Sequence, residues 1–533
     1  MNHTSTENEQ AIFKTPKPSL IHPVMEALKR PSGDTSSGRA FSTLDQWLSH
    51  CQTEHTKCNS WSGGTLPRRV LEIQSVQPLC VRVVENCSQK EKYACLSYRW
   101  GPETKSKSLN KGNLEKYKAA IPQDKLYPLV KDAITAADRL GLRYIWIDSY
   151  CILQDDTEDW ETEAANMASM FSTSKPEDLG AQVTERGGES VFVRKRLSNP
   201  SGTTLDRAWV FQERLLSNRV IYFTKHEVAW ECRERSWCEC ESCNDEFSSW
   251  LGPPSVPKVL QQLKWEDIAK VYDSKILTEE KDRLPALAGV ARRHGELRGW
   301  TYLAGLWKEE IPTALLWKKL GHKGARPLRQ QLEVAPTWSW ASLPRGKLFF
   351  HGRPLTSVRL IGYNRSPPDG DIYTATGQTE ITVQGPVLDV RIYHQGQLRE
   401  DEGPKLIGKI GNAFLTITPD FDMKPKDPTK YQAVVDGTLG SLLLLYDETD
   451  PDTRGGSYRD CIFGVLLLQK TDANGGKVTF ERVGCFNDLI HSQLDESGEF
   501  VEYRGGSFPF QRMKRVKREW LLQRAEKRRI TLV

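Results

Sequence analysis

The sequence predicts an α/β module with a parallel sheet in its N-terminal half, then a helical segment, then a β-rich C-terminal domain. Three observations carry this reading. Between residues 93 and 147 a strand pattern, an amphipathic helix and a second strand follow in turn, the order of a βαβ unit. Residues 258–320 look helical. From about 335 to 503 alternating runs separated by Gly-rich turns take over, at 381–383, 387–392, 414–418, 442–446 and 462–468.

Taken in order, residues 1–40 are rich in Ser, Thr, Pro and Lys and are expected to be disordered. Residues 41–92 open with Leu44, Trp47 and Leu48 at helical spacing, followed by a hairpin pattern at 69–73 and 80–84. The central module spans 93–235. Within it Leu126, Leu129, Val130, Ala133, Ile134, Ala137 and Leu140 form one helical stripe that Gly141 stops. A strand is expected at 144–147 and a helix at 158–171. Residues 172–205 show no period, which is odd inside a compact domain. Helix 207–216 and strands 220–223 and 228–231 follow. The remaining expectations are a helical connecting region at 236–342, the β-rich domain at 343–505, and a basic tail helix at 506–533.

Composition narrows the function. Twelve cysteines in 533 residues make no disulfide framework, so reduced thiols and a cytoplasmic setting are expected. No signal-like apolar segment opens the chain, and the longest apolar runs fall far short of the roughly 18 residues that span a bilayer. The net charge of +5 is concentrated at the end, where residues 511–533 hold nine Lys/Arg against two Glu. A body near neutrality argues against a nucleic-acid partner. The chain has no G-x-x-x-x-G-K-[ST] loop, no G-x-S-x-G elbow and no H-E-x-x-H motif, so kinase, hydrolase and zincin chemistries lose their main support.

Four stretches carry candidate chemistry. Tyr93-Ala-Cys-Leu-Ser-Tyr-Arg-Trp-Gly101 brings Ser97, Tyr98, Arg99 and Trp100 to a strand's C-terminal end, where parallel sheets open their ligand crevice. Asp148 follows the next strand directly, with Cys151 and Gln154 close behind. A bland alternative makes these a capped strand end and a turn aspartate. On the helix after Asp159, Trp160, Ala164, Met167 and Phe171 form one stripe. Glu163 falls on its flank, and Glu161 points to solvent. A carboxyl on an apolar face is desolvated and suited to acid–base work, unless Arg207 or Arg214 pairs with it. Finally, Arg207, Trp209, Gln212 and Glu213 read as a structural network behind the crevice. For metals the expectation is none. Cys232, Cys238, Cys240 and Cys243 are the candidate set, but C-x5-C-x-C-x2-C is not knuckle spacing, and Cys51, Cys58 and His55 offer less.

The order of these blocks resembles the HET (heterokaryon incompatibility) domain of filamentous fungi. The resemblance rests on the 93–101 block, on Leu142-Arg-Tyr-Ile-Trp-Ile-Asp-Ser-Tyr-Cys-Ile-Leu-Gln-Asp-Asp156, on Asp159-Trp-Glu-Thr-Glu-Ala-Ala-Asn-Met167 and on Arg207-Ala-Trp-Val-Phe-Gln-Glu-Arg-Leu-Leu-Ser217. Leu284-Pro-Ala-Leu-Ala-Gly289, Tyr302-Leu-Ala-Gly-Leu-Trp307 and Pro336-Thr-Trp-Ser-Trp-Ala-Ser342 extend it. The resemblance implies allorecognition and programmed cell death signalling through a TIR-like α/β fold. It implies partners by self-association or through another incompatibility protein, and no cofactor. Some TIR-type domains cleave NAD with one glutamate. By that analogy NAD would be a substrate, Glu163 the catalytic residue, and Ser97, Tyr98, Arg99, Trp100, Asp148, Cys151, Gln154 and Trp160 the pocket.

One departure stands out. After Phe171 family members continue with Asn-Ala and a Thr-Ile-Ala-Ala-like strand, whereas this chain reads Ser172-Thr-Ser-Lys-Pro-Glu-Asp178. A strand and its loop are therefore expected to be missing. Three readings follow: an incompatibility module, an NAD glycohydrolase, or an inactive relic or mis-spliced gene model.

Overall fold

The computed structural model describes residues 10–13, 29–59, 66–85, 91–170, 192–195, 204–224, 227–241, 263–320, 334–350, 358–365, 372–373, 379–395, 405–410, 413–419, 438–448, 461–471, 478–486, 491–493, 513–515 and 518–533. The expected gap after Phe171 lies outside the described residues. The chain forms two compact units. One comprises Met1–Lys264 with Ala286–Val290, the other Trp265–Pro285 with Ala291–Val533.

The first unit opens with helix α1, Gly38–Glu54. Ser37 caps it by accepting the Ala40 N–H at 3.2 Å, one of the donors a helix start leaves unpaired. A one-turn helix α2, Thr56–Asn59, follows. Strands β1 (Arg69–Val76) and β2 (Leu79–Glu85) form the expected hairpin. Strand β3 is Tyr93–Cys95, helix α3 is Pro128–Arg139 and strand β4 is Tyr144–Trp146. Pro128 sits in the first turn of α3, where a missing N–H costs nothing. Val130, Ile134 and Ala137 are buried, and Gly141 takes φ +73° just past the helix end.

β3 and β4 pair in parallel, Ala94 opposite Ile145, as the βαβ reading requires. The sheet as a whole is mixed. Its order is β2-β1-β4-β3, and β1 lies antiparallel to β4, with Leu71 opposite Ile145. The parallel pairing expected from sequence is present between β3 and β4, and the hairpin adds two antiparallel strands on the other side of β4. Beyond β4 come α4 (Asp148–Cys151), α5 (Thr157–Met170) and α6 (Ala208–Leu216). A separate antiparallel sheet is built from β5 (Arg219–Phe223), β6 (Val228–Cys232) and β7 (Ser236–Cys238). Val70, Ile134, Ile145 and Tyr150 belong to one buried cluster, and Phe41, Leu44, Ile221 and Trp230 to another.

The described part of the stretch expected to be helical, residues 263–320, carries two α-helices, Trp265–Asp273 and Ala288–Arg298. Short 3-10 turns separate these helices, and the second is followed by the antiparallel pair Tyr302–Leu303 with Leu306–Trp307. The Gly305 carbonyl accepts both the Trp265 and the Trp340 indole N–H at 2.8 Å. Gly305 has φ +95°, and a Cβ there would stand 3.1 Å from Trp340 Nε1, so glycine is needed on both counts. The β expectation holds and is larger than read. The runs at 381–383 and 387–392 merge into one strand, Thr379–Gln395, in a ten-stranded sheet.

The tail is corrected. Among the described residues its helix is confined to Arg518–Arg524, and Glu526–Leu532 is a strand paired antiparallel to Thr379–Gln395. Ile530 and Leu532 are buried, whereas Lys527 and Arg529 are exposed. This is a period of two. The basic residues hid it because their count suggested a solvated helix. A solvated helix would make Ile530→Ala and Arg529→Ala equally harmless. In the sheet, Ile530→Ala should cost about 2–5 kcal/mol and Arg529→Ala under about 0.5 in urea unfolding.

Candidate functional site

The parallel pair delivers two chain segments to one edge. The chain leaves β3 through Leu96–Trp100 and leaves β4 through Ile147, whose successor Asp148 starts α4. There Trp100 Nε1 donates to an Asp148 carboxylate oxygen at 2.7 Å, and the Ser149 N–H donates to the other at 2.6 Å. Burial pushes the Asp148 carboxyl above its ordinary range, and these two donors oppose the rise. The Ser97 hydroxyl donates to the Glu213 carboxylate, which α6 brings in from behind. Burial raises Glu213 to about 7, with the Ser97 bond opposing and the Asp148 charge reinforcing the shift. Tyr98 turns inward. Its hydroxyl donates to Ser149 Oγ at 2.7 Å and accepts from the Tyr127 hydroxyl at 2.6 Å, while its carbonyl accepts from Arg207 Nη1 at 3.0 Å.

The structure thus gathers Ser97, Tyr98, Trp100, Asp148, Arg207 and Glu213 into one network. Arg99 is exposed and outside it. Gln154 closes the α4 turn, its amide donating to the Asp148 carbonyl at 3.2 Å and the Ile152 carbonyl at 3.1 Å. Trp160 packs edge-on against Trp209, ring centres 6.0 Å apart, which ties α5 to α6. Gln212 is buried and accepts the Gly289 N–H at 2.6 Å. Arg214 goes elsewhere, to Glu231 at 2.8 Å and the Tyr222 hydroxyl at 3.1 Å.

Glu163 is completely buried and Glu161 is exposed, as the helical stripe requires. Neither Glu163 oxygen has a hydrogen-bond partner among the described residues. Neither Arg207 nor Arg214 supplies one. Burial raises this carboxyl to about 7. The Arg69 and Arg68 charges oppose the shift and Asp159 adds to it. Glu163 therefore belongs with a second network. Arg69, fully buried, donates to both Asp159 oxygens, to the Cys151 carbonyl at 2.7 Å and to Glu85 at 2.9 Å. Asp159 also accepts the Leu153 N–H at 2.9 Å. Burial acts to raise its carboxyl, but Arg69 and that amide hold it below its ordinary value. Cys151 stands between the networks. Its thiol accepts the Ile147 N–H at 3.4 Å and feels the charges of both Glu163 and Asp148.

Sequence reasoning missed Arg69 and Asp159. The available signal was an arginine heading a run, Val70 and Leu71, that is otherwise apolar and buried. The two carboxyls that burial raises to about 7, Glu213 and Glu163, thus sit in separate buried networks, one hydrogen-bonded to Ser97 and the other beside Arg69 and Asp159.

The thiols separate differently from their sequence grouping. Cys238 and Cys240 gather with Glu227, and Cys232 gathers with Cys51, His55 and Cys58. Cys243 lies outside the described residues. A cavity of about 490 Å³ runs along the β3 edge, between Ala133 and Ala137 of α3, Ile221, Phe223 and Trp230, and contains none of the predicted pocket residues.

A family model described as Heterokaryon incompatibility protein (HET) matches residues 93–184. No curated protein and no solved structure matches the chain. The match begins at β3, includes Ser97, Asp148 and Glu163, and stops short of Arg207–Ser217.

Glu163 keeps its proton to about 7 in the fold, against 4.5 for an ordinary glutamate. As pH rises the unfolded chain releases this proton first. Stability from the neutral carboxyl is full at acidic pH and is lost as pH passes through the folded value. At about 1.4 kcal/mol per pH unit the loss is of order 3 kcal/mol. Glu163→Gln keeps the shape without the charge. It should raise urea-unfolding stability at pH 8 and change little at pH 5. Equal effects at both pH values would mean that Glu163 ionises normally.

Proposed function

We propose that this heterokaryon incompatibility domain protein acts in fungal non-self recognition and triggers programmed cell death when unlike hyphae fuse. The observation that carries the reading is the family match over residues 93–184. Those residues contain β3, α3, β4 and α5, with their polar network at the strand ends. A parallel pair joined by a helix is compatible with a TIR-like signalling module that works by self-association or by meeting another incompatibility protein. The second compact unit, a large β-sheet, would serve as sensor or regulator. No helix among the described residues is long and apolar enough to cross a membrane. Action in the cytoplasm is part of the proposal.

A second reading, NAD cleavage, draws on one observation. Glu163 is a buried carboxyl raised to about 7, so that near neutral pH a fraction is ionised, and that carboxylate would stabilise a developing oxocarbenium charge. On this reading NAD is a substrate and the protein needs no further cofactor.

Induced expression of the full chain in a filamentous fungus, scored by vital-dye uptake, tests both. Death that survives Glu163→Gln but is lost in Ser97→Ala or Glu213→Gln, each confirmed folded, supports a signalling module. Death lost in Glu163→Gln together with a wild-type fall in cellular NAD supports the glycohydrolase. No death from wild-type protein at levels comparable to an active incompatibility protein rejects both.

A further inference from the structure

The end of α1, the turn after it and the end of β6 converge on one point. Cys51 lies in the last turn of α1, His55 is the residue on which the helix ends, and Cys58 lies in α2. The backbone leaves α1 in an extended conformation at His55 (φ −91°, ψ 96°) before α2 begins at Thr56, and this bend brings Cys58 back toward Cys51 and His55. Cys232, at the end of β6, completes the group. All four side chains are buried, and one ligand atom from each lies within 4.8 Å of every other. His55 Nδ1 and Cys232 Sγ are 3.3 Å apart. A tetrahedral zinc with thiolate and imidazole ligands holds neighbouring ligand atoms about 3.6–3.8 Å apart. Small shifts of these side chains would reach that spacing.

The surroundings are those of a thiolate metal site. Three thiolates and a neutral imidazole on a divalent cation leave one net negative charge. Arg219 Nε donates to Cys51 Sγ at 3.2 Å and its Nη2 to the Cys58 carbonyl at 3.4 Å, placing a cation against that charge. The Arg235 N–H donates to Cys232 Sγ at 3.3 Å from the turn after β6, and such bonds orient a thiolate ligand. Glu234 accepts the Lys57 N–H at 2.6 Å, clamping that turn to α2. The Trp237 ring, 5.5 Å from His55, covers the imidazole. The neighbouring group of Glu227, Cys238 and Cys240 offers three ligands and binds internally, the Cys240 N–H donating to Glu227 at 3.1 Å.

We propose that Cys51, His55, Cys58 and Cys232 form a structural zinc site that fastens α1 and α2 to the β5–β7 sheet. Four protein ligands leave no open position, so the ion staples and does not catalyse. The site lies outside the 93–184 family match and does not depend on the proposed function.

The full-length protein, purified without chelator, should hold about one zinc per chain by elemental analysis. Cys58→Ser and Cys232→Ser should fall to roughly a tenth of that or less, and Cys240→Ser should keep it. His55→Cys should retain the ion, since zinc accepts four thiolates. Should the serine variants fail to fold, cobalt exchange into wild-type protein serves instead, with thiolate-to-cobalt charge-transfer bands and tetrahedral d–d bands expected. Wild-type protein that holds no zinc and takes up no cobalt overturns the proposal. So does zinc lost in Cys240→Ser but kept in Cys232→Ser, or a disulfide among Cys51, Cys58 and Cys232 in the native protein.

Discussion

Arg69 has no exposed surface, and its guanidinium holds three separate stretches of chain together. It reaches Glu85 across the hairpin, the carbonyl of Cys151 at the end of α4, and both oxygens of Asp159 in α5. Stripping water from such a cation costs several kcal/mol, and the cost is offset only if every donor finds a well-placed acceptor. Moving any of the three stretches would break that match, so the ion fixes where α5 starts and hence where Glu163 sits. The second unit uses the same device independently. Lys319, fully buried, donates to Asp273 at 2.7 Å and to the Trp340 and Leu343 carbonyls at 2.8 and 3.1 Å. Arg482, also buried, lies 3.5 Å above the Trp317 ring and donates to the Trp317 carbonyl. Each unit is thus organised around charges that tolerate one arrangement of the backbone near them.

Much of this was legible in the sequence, and the limits have physical causes. The α3 stripe, the paired strands on either side of it and the inward turn of Glu163 follow from local periodicity, which a sequence displays directly. The placement of β1 between β2 and β4 does not, because pairing partners are chosen by tertiary contact and the local pattern is the same for either edge. The tail misled for a related reason. Alternation at Ile530 and Leu532 covers too few residues to outweigh a run of basic side chains. At the site, Ser97, Asp148 and Trp100 could be found because strand ends in a parallel pair face one edge. Arg69 left only the faint signal of a charge heading an apolar run, and Asp159 looks like an ordinary surface charge until Arg69 is in place. Cys232 reads with its neighbours Cys238 and Cys240 along the chain, but alternation and the turn after β6 send it to residues far away in sequence.

The two networks differ in how completely they are satisfied. Around Arg69 nearly every polar group has a partner. A few residues away Glu163 has none among the described residues, and Glu213 and Asp148 are each held protonated more readily than in water. Selection for stability alone would exchange Glu163 for an apolar residue of similar size, because an unpartnered buried carboxyl costs stability near neutral pH. Glu163 lies inside the stretch that the HET model matches, so this cost falls within the matched residues.

The strand Glu526–Leu532 adds a matter of timing. It pairs along Thr379–Gln395, with Ile381 opposite Leu532, so an interior position of the large sheet stays empty until the ribosome has made residues beyond 526. At roughly 5–20 residues per second, on the order of ten seconds separate the synthesis of residue 395 from that of residue 526. The first unit, apart from its short Ala286–Val290 segment, is complete long before then. During synthesis nearly all of the first unit is thus available to fold while the large sheet still lacks an interior strand, so that until residue 532 emerges the edges of its neighbours are open to wrong partners.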